Sequence, residues 1–173
     1  MVMFKENIGK QLLVQAEKLG ACERGIDSLD KLNEQELVNR YIHFIDFAID
    51  KQWPTNDFIK KHFDKELLHR NNIYIDEMVS RRNARQVVVV QGKCSGSLLY
   101  DGLTTADIYV MHDSELTIDC SRLSKVFINV YDRAKVKVYQ RDAASVYVYK
   151  HGDGCEVVTD GEVLIRKYCE KDV

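Results

Sequence analysis

The second half of the chain is built on a ten-residue repeat, and this feature restricts its fold more than any other. Counted in tens from Asp101, the sixth and eighth places hold aliphatic pairs: Ala106 and Ile108, Leu116 and Ile118, Val126 and Ile128, Val136 and Val138, Val146 and Val148, with Glu156 and Val158 at the end. The fourth places are all small: Thr104, Ser114, Ser124, Ala134, Ala144 and Gly154. Alternation with period two inside such a repeat predicts short strands, each with one buried face.

Two folds satisfy this pattern. In a parallel β-solenoid, successive strands climb a coil and equivalent side chains stack in ladders, whereas in an antiparallel β-meander the strands run up and down one sheet. Tight hairpins favour Asn-Gly or Asp-Gly at their reversals, but here four-residue corners such as 132–135 and 142–145 recur at one offset. Stacked coils explain this recurrence. We therefore predict a solenoid, with the meander as the alternative and with two or three strands per coil both left open.

The N-terminal part of the chain has helical periodicity instead. Apolar residues predict a first helix over about Phe4–Leu19. The pair Asn33 and Glu36 has the spacing of a capping box, and it opens a second helix whose apolar stripe continues to Ile49. Thr55 is expected to cap a third, short helix.

These two periods predict an α+β protein with two domains. Residues 1–83 are assigned to an α-helical domain and residues 84–168 to the β-repeat domain. Within the second domain, 87–90, 98–100 and 163–165 have the character of atypical repeat copies at the two ends. Terminal repeats usually depart from the pattern because they cap an exposed edge.

Composition restricts the partners and the compartment. With 25 basic and 27 acidic residues the net charge is -2, which argues against general attraction to nucleic acid or to membranes. Lys5 and Glu6 interrupt the apolar core that a signal peptide would need, and the longest aliphatic run, 87–90, is too short to cross a bilayer. The five cysteines contain no C-x-x-C pair, so reduced thiols and a cytoplasmic location are expected.

Two stretches of the helical part carry a family resemblance. These are Tyr41-Ile42-His43-Phe44-Ile45-Asp46-Phe47-Ala48-Ile49 and the segment from Trp53-Pro54 to Lys60. Followed by ten-residue strand repeats, they resemble small uncharacterised bacterial and phage-associated proteins that pair a helical head with a β-repeat tail. The tail also resembles the short solenoids of bactofilins, which implies polymerisation through coil ends. Neither resemblance supplies catalytic residues to carry over.

Candidate catalytic and metal-binding groups do not form a recognisable motif. The five histidines include no H-E-x-x-H pattern. His112 followed by Asp113 at one corner is better explained by an aspartate that satisfies its own backbone in the turn. A ladder of corner aspartates with Asp132 and Asp142 would suit a hard cation, but Arg133 beside it favours surface ion pairs. We therefore predict no catalytic residue, no metal and no cofactor.

The strand residues that alternation points outward are unusually aromatic. They include Tyr109, Phe127, Tyr139, Tyr147 and Tyr149. Exposed aromatic clusters commonly mark interfaces, so these five are the candidate partner-binding residues. The alternatives are rings that pack against one another or beneath the helices, and rings that stack on a glycan or a nucleic acid.

The sequence thus favours a non-enzymatic structural or interaction protein that associates with itself through its β-repeat tail. A glycan-binding or carbohydrate-active solenoid is one alternative. A regulator of phage or mobile-element functions that binds a protein partner is another.

Overall fold

A computed structural model of the chain describes residues 7–168. It divides the chain into two compact units, residues 1–68 and 69–173. The α+β class with a solenoid tail is confirmed, but the boundary lies earlier than the predicted one between residues 83 and 84. Two short strands that precede residue 84 pair with the repeat strands. The ten-residue repeat does not predict these two strands, because only two residues, Asp76 and Glu77, join them in place of a four-residue corner.

The first unit is helical. Its elements are α1 (Ile8–Lys18), α2 (Glu23–Ile26), a 3₁₀ turn (Leu29–Lys31), α3 (Glu34–His43), α4 (Ile45–Lys51), α5 (Asn56–His62) and α6 (Lys65–Arg70), whose last two residues belong to the second unit. The capping box is present: the Asn33 side chain accepts from the Glu36 N–H, and the Glu36 carboxylate accepts from the Asn33 N–H. The Thr55 cap of α5 is present too.

The helices differ from the predicted ones at the junction of α3 and α4. The predicted single helix from Asn33 to Ile49 is two helices, because Phe44 takes φ −111° and ψ 35° and so leaves the helical conformation between α3 and α4. The predicted start of the first helix at Phe4 lies outside the described residues. Gly9 on α1 allows close approach to the 3₁₀ turn, since a β-carbon there would lie 2.0 Å from the Leu29 carbonyl oxygen.

The second unit is a parallel β-solenoid with two strands per coil. Its strands are β1 (Ile73–Ile75), β2 (Met78–Arg82), β3 (Gln86–Gln91), β4 (Ser95–Tyr100), β5 (Thr105–Val110), β6 (Glu115–Cys120), β7 (Lys125–Val130), β8 (Lys135–Gln140), β9 (Ser145–His151), β10 (Glu156–Asp160) and β11 (Val163–Tyr168). Odd-numbered strands form a six-stranded sheet, even-numbered strands form a five-stranded sheet, and all described strand pairs are parallel. This excludes the meander.

The predicted inward residues fill the space between the two sheets. Partners stack twenty residues apart, as in the ladders Ala106–Val126–Val146 and Ile108–Ile128–Val148 of the six-stranded sheet. Leu116–Val136 and Ile118–Val138 form the equivalent ladders of the five-stranded sheet. All these residues are buried, so the assigned register is confirmed through residue 148.

The register changes at the corner between β9 and β10. Val157, not Glu156, aligns with Val136, which is a separation of 21 residues instead of 20. The predicted inward pair Glu156 and Val158 is therefore wrong: both side chains are exposed, while Val157 packs partly buried against the core. The extra residue is accommodated in a glycine-containing corner, where Gly152 has a φ of 90°.

The corners are held by aspartates that reach the neighbouring coil. Asp132 and Asp142 occupy left-handed conformations, with φ of 55° each. The Asp132 carboxylate accepts from the His112 N–H at 2.9 Å, and the Asp142 carboxylate accepts from the Arg122 N–H at 3.1 Å. The expectation that a corner aspartate satisfies the backbone of its own turn is therefore wrong for these residues: Asp132 and Asp142 satisfy backbone groups one coil earlier in the chain, and the Asp113 carboxylate accepts from the Arg133 side chain.

Candidate interaction surface on the solenoid

The five predicted aromatic residues lie on two different faces. Tyr109, Phe127, Tyr147 and Tyr149 belong to the outer face of the six-stranded sheet, whereas Tyr139 belongs to the five-stranded sheet on the other side of the core. All five are half-buried. The five candidate residues therefore do not share one surface: Tyr139 is separated from the other four, because successive tens alternate between the two sheets.

The rings on the six-stranded sheet stack on one another. Phe127 and Tyr147 are register partners with ring centroids 5.0 Å apart and an interplanar angle of 14°. The Lys125 ammonium lies 5.3 Å from the centroid of Phe127 and 5.9 Å from that of Tyr147, which are cation–π distances. These contacts occupy the ring faces between the two residues.

A second aromatic column follows the ends of the same strands. The rings of Tyr131 and His151 are 4.1 Å apart at 9°, and those of His151 and Tyr168 are 5.2 Å apart at 11°. The His151 Nε2 lies 3.2 Å from the Asn129 Oδ1. Sequence reasoning missed this column, although Tyr131 and His151 share an offset of 20 residues that could have revealed it.

The two ends of the solenoid differ in exposure. At the first coil the apolar residues Ile73, Tyr74, Ile75 and Val79 are buried, and Met78 on β2 is 81% exposed. At the last coil, β10 and β11 expose the apolar side chains Val158 (60%), Leu164 (62%), Ile165 (44%) and Tyr168 (44%). Among the described strands, β10 and β11 each have a neighbour on one side only, as do β1 and β2 at the other end. We call this pair of strands, Glu156–Asp160 and Val163–Tyr168, the terminal coil.

The two strands of the terminal coil carry opposite charge. Strand β10 contains Glu156 and Asp160 and no basic residue, and β11 contains Arg166 and Lys167 and no acidic residue. All four side chains are exposed. The terminal coil therefore combines exposed apolar residues with one acidic and one basic edge.

A glutamine fixes the turn that joins these two strands. The Gln140 amide nitrogen donates to the carbonyls of Asp142 and Ala144, and its oxygen accepts from the Glu162 N–H at 2.8 Å. Gly161 has a φ of 98°, and a β-carbon there would lie 2.2 Å from the Gln140 carbonyl oxygen. Next to this turn an open groove of about 450 Å³ lies between residues 144–147 and 162–164. The backbone of the terminal coil is thus held in place by defined contacts.

The charged corner residues form ion pairs. Arg133 donates to both carboxylate oxygens of Asp113, at 2.7 and 3.0 Å. These hydrogen bonds hold the pKa of the Asp113 carboxyl below its usual range and raise the pKa of Arg133. Hydrogen bonds from Arg82 and Asn83 lower the pKa of Asp101 in the same way. No group of three or more potential metal ligands is found among residues 7–168.

The buried titratable groups belong to the core. Cys94, Cys120 and Cys155 are buried free thiols, while Cys22 is an exposed one. Burial raises the pKa of the Cys120 thiol to about 12 and also raises that of the Tyr100 hydroxyl. A thiol with such a pKa stays protonated near neutral pH, so Cys120 is a poor nucleophile.

Comparisons with protein-family models, with curated proteins and with solved structures find no match to this chain. No helix in the described part of the chain is long and apolar enough to cross a membrane.

Proposed function

We propose that the chain is a non-enzymatic protein-interaction module that associates with a second copy of itself through the terminal coil. The observation that carries the proposal is the exposure of Val158, Leu164, Ile165 and Tyr168 on two edge strands. An edge strand with exposed apolar residues is a template for pairing with another chain. At the first coil β1 is buried, and among the described apolar residues of β1 and β2 Met78 alone is exposed.

The aromatic face supports a structural role for its rings. Because Phe127 and Tyr147 are stacked, separating them to admit a sugar or a base would cost the energy of their own contact, about 0.5–1.5 kcal/mol beyond burial. This favours a protein contact at the terminal coil over a glycan or nucleic-acid ligand on the six-stranded sheet. A role of the five outward aromatic residues in partner binding stays a prediction.

The cysteine chemistry supports a reducing location such as the cytoplasm. The four described cysteines are all free thiols. Disulfides persist in oxidising compartments and are rare where glutathione keeps thiols reduced.

Sedimentation at micromolar concentration tests the proposal. We expect a mass of at least twice 20.0 kDa for the wild-type chain. The double variant Val158→Ser with Leu164→Ser should dissociate more readily and keep its melting temperature within a few degrees, because both side chains are more than half exposed.

Two corner leucines provide a matched control. Leu103 and Leu123 are 84% and 63% exposed but lie at corners away from the terminal coil. The variant Leu103→Ser with Leu123→Ser removes a similar amount of exposed apolar surface and should leave association unchanged. A wild-type chain that stays monomeric throughout the concentration range would contradict the proposed function.

A further inference from the structure

The charge on the terminal coil points to one arrangement of the two copies. We infer that they form a closed dimer with two-fold symmetry, in which β10 of each copy pairs antiparallel with β11 of the other. The inference rests on the proposed function, and it specifies the partner and the geometry of that association.

The closed form follows from the difference between the two ends. A head-to-tail filament needs two different complementary surfaces on each chain. At the first coil β2 exposes Met78 (81%), but β1, which lies in the same sheet as β11, is buried, with Ile73 and Tyr74 at most 2% exposed. That end therefore offers no exposed apolar side chain to match β11. A head-to-tail contact would thus match only one of the two strands of the terminal coil, whereas a contact with its own copy uses both, and such an isologous contact closes after two chains.

The choice of strand pairing follows from charge. The two strands of the terminal coil belong to opposite sheets. A two-fold axis perpendicular to the coil axis can therefore place each strand opposite the same strand of the second copy, or opposite the other strand. Both arrangements are antiparallel.

Like-with-like pairing would place Glu156 and Asp160 near their own counterparts, and Arg166 and Lys167 near theirs. Like charges opposite each other across a strand pair are destabilising. Pairing of β10 with β11 instead places the acidic strand against the basic strand at both contacts of the dimer. Exposed Val158 and Leu164 then lie within the same interface.

Charge reversal distinguishes the two arrangements. The variant Glu156→Lys with Asp160→Lys makes both strands basic, and the variant Arg166→Glu with Lys167→Glu makes both acidic. In the inferred arrangement each variant alone replaces attraction with repulsion, so the dissociation constant from sedimentation velocity should rise about ten-fold or more. A chain that carries all four changes regains opposite charges and should dimerise like the wild type.

Like-with-like pairing gives different results. Reversing one strand leaves that strand opposite an identical copy of itself, so its repulsion keeps the same sign and size. Unchanged dimerisation of both double variants would therefore overturn the inferred pairing and leave the proposed self-association standing. The variant Glu17→Lys with Asp46→Lys makes the same change in net charge as Glu156→Lys with Asp160→Lys, but at exposed helical positions, and serves as the control for that variant.

The remaining outcomes are also decisive. A mass that grows beyond two chains as the concentration rises overturns the closed dimer. A monomeric wild type overturns the proposed function and this inference together. If a chain ending at Tyr168 dimerised while the full chain did not, residues 169–173 would be identified as the cover of the terminal coil, and the inferred dimer of the full chain would be refuted.

Discussion

Replacing the inward residue Val136 with aspartate should strongly destabilise the solenoid. Val136 is 1% exposed and stacks between Leu116 and Val157 in the five-stranded sheet. The change loses the burial of a valine, about 2 kcal/mol, and places a carboxyl group among apolar neighbours, at about 1–3 kcal/mol. We therefore expect a loss of about 3–5 kcal/mol in the free energy of unfolding. In a thermal melt this corresponds to about 6 to 20 °C.

The pH dependence of the same variant identifies the cause. Burial raises the pKa of the new carboxyl in the folded state above its unfolded value of about 3.9. The folded state then binds the proton more tightly, so the stability of the variant should fall further behind the wild type as the pH rises from about 4 to 7. A Val136→Ala variant, which loses only packing, should show a deficit that does not change with pH.

The neighbouring position is the control for register. Lys137 is exposed on β8, and Lys137→Asp should change stability by only about 0.5 kcal/mol or less. Equal destabilisation by Lys137→Asp and Val136→Asp would refute the assignment of inward and outward faces. The comparison is sharp because the two positions are adjacent and receive the same side chain.

Three further predictions concern other parts of the chain. Val157→Asp should lower the melting temperature more than Val158→Asp, because the extra corner residue turns Val157 inward; the reverse order would show an uninterrupted ten-residue register. Under native conditions a thiol-alkylating reagent followed by peptide mapping should label Cys22 and leave Cys120 unmodified, and labelling of both would contradict the burial of Cys120. Because the folded-state pKa of Asp113 is lowered, its contribution to stability is lost as the pH falls below about 4. Asp113→Asn should therefore make the acid-induced loss of stability in chemical denaturation smaller, and an unchanged acid profile would show that the ion pair contributes nothing.

The repeat was sufficient to predict the solenoid core but not its ends. Inward ladders follow directly from alternation, since a strand residue and its second neighbour share a face. The shift at β10 needs one extra residue in a corner, and counting in tens cannot detect it. The sequence does carry a sign of an irregular corner, because Gly152 and Gly154 both lie in it. In the structure a β-carbon on Gly154 would lie 2.5 Å from the Asp132 carbonyl oxygen.

Which aromatic residues share a face depends on the number of strands per coil, and the sequence did not determine that number. With two strands per coil, odd and even tens lie on opposite sheets, so Tyr139 is separated from Phe127 and Tyr147. The pattern left two or three strands per coil open, and three would have brought different residues together. Tyr168 was missed for a related reason, because β11 aligns with β9 at a separation of 17 residues.

The charges of the terminal coil also explain how an open solenoid end can avoid indiscriminate aggregation. Edge strands of natural sheets commonly carry charged residues that oppose pairing with whatever strand is near. Here Glu156 and Asp160 repel a second β10, and Arg166 and Lys167 repel a second β11. Because the two strands differ in sign, the same charges that oppose like-with-like pairing favour pairing of β10 with β11. A uniform charge on both strands would protect the end equally well but would oppose every symmetric dimer, so in the inferred dimer the division of sign between the strands is what permits one specific association.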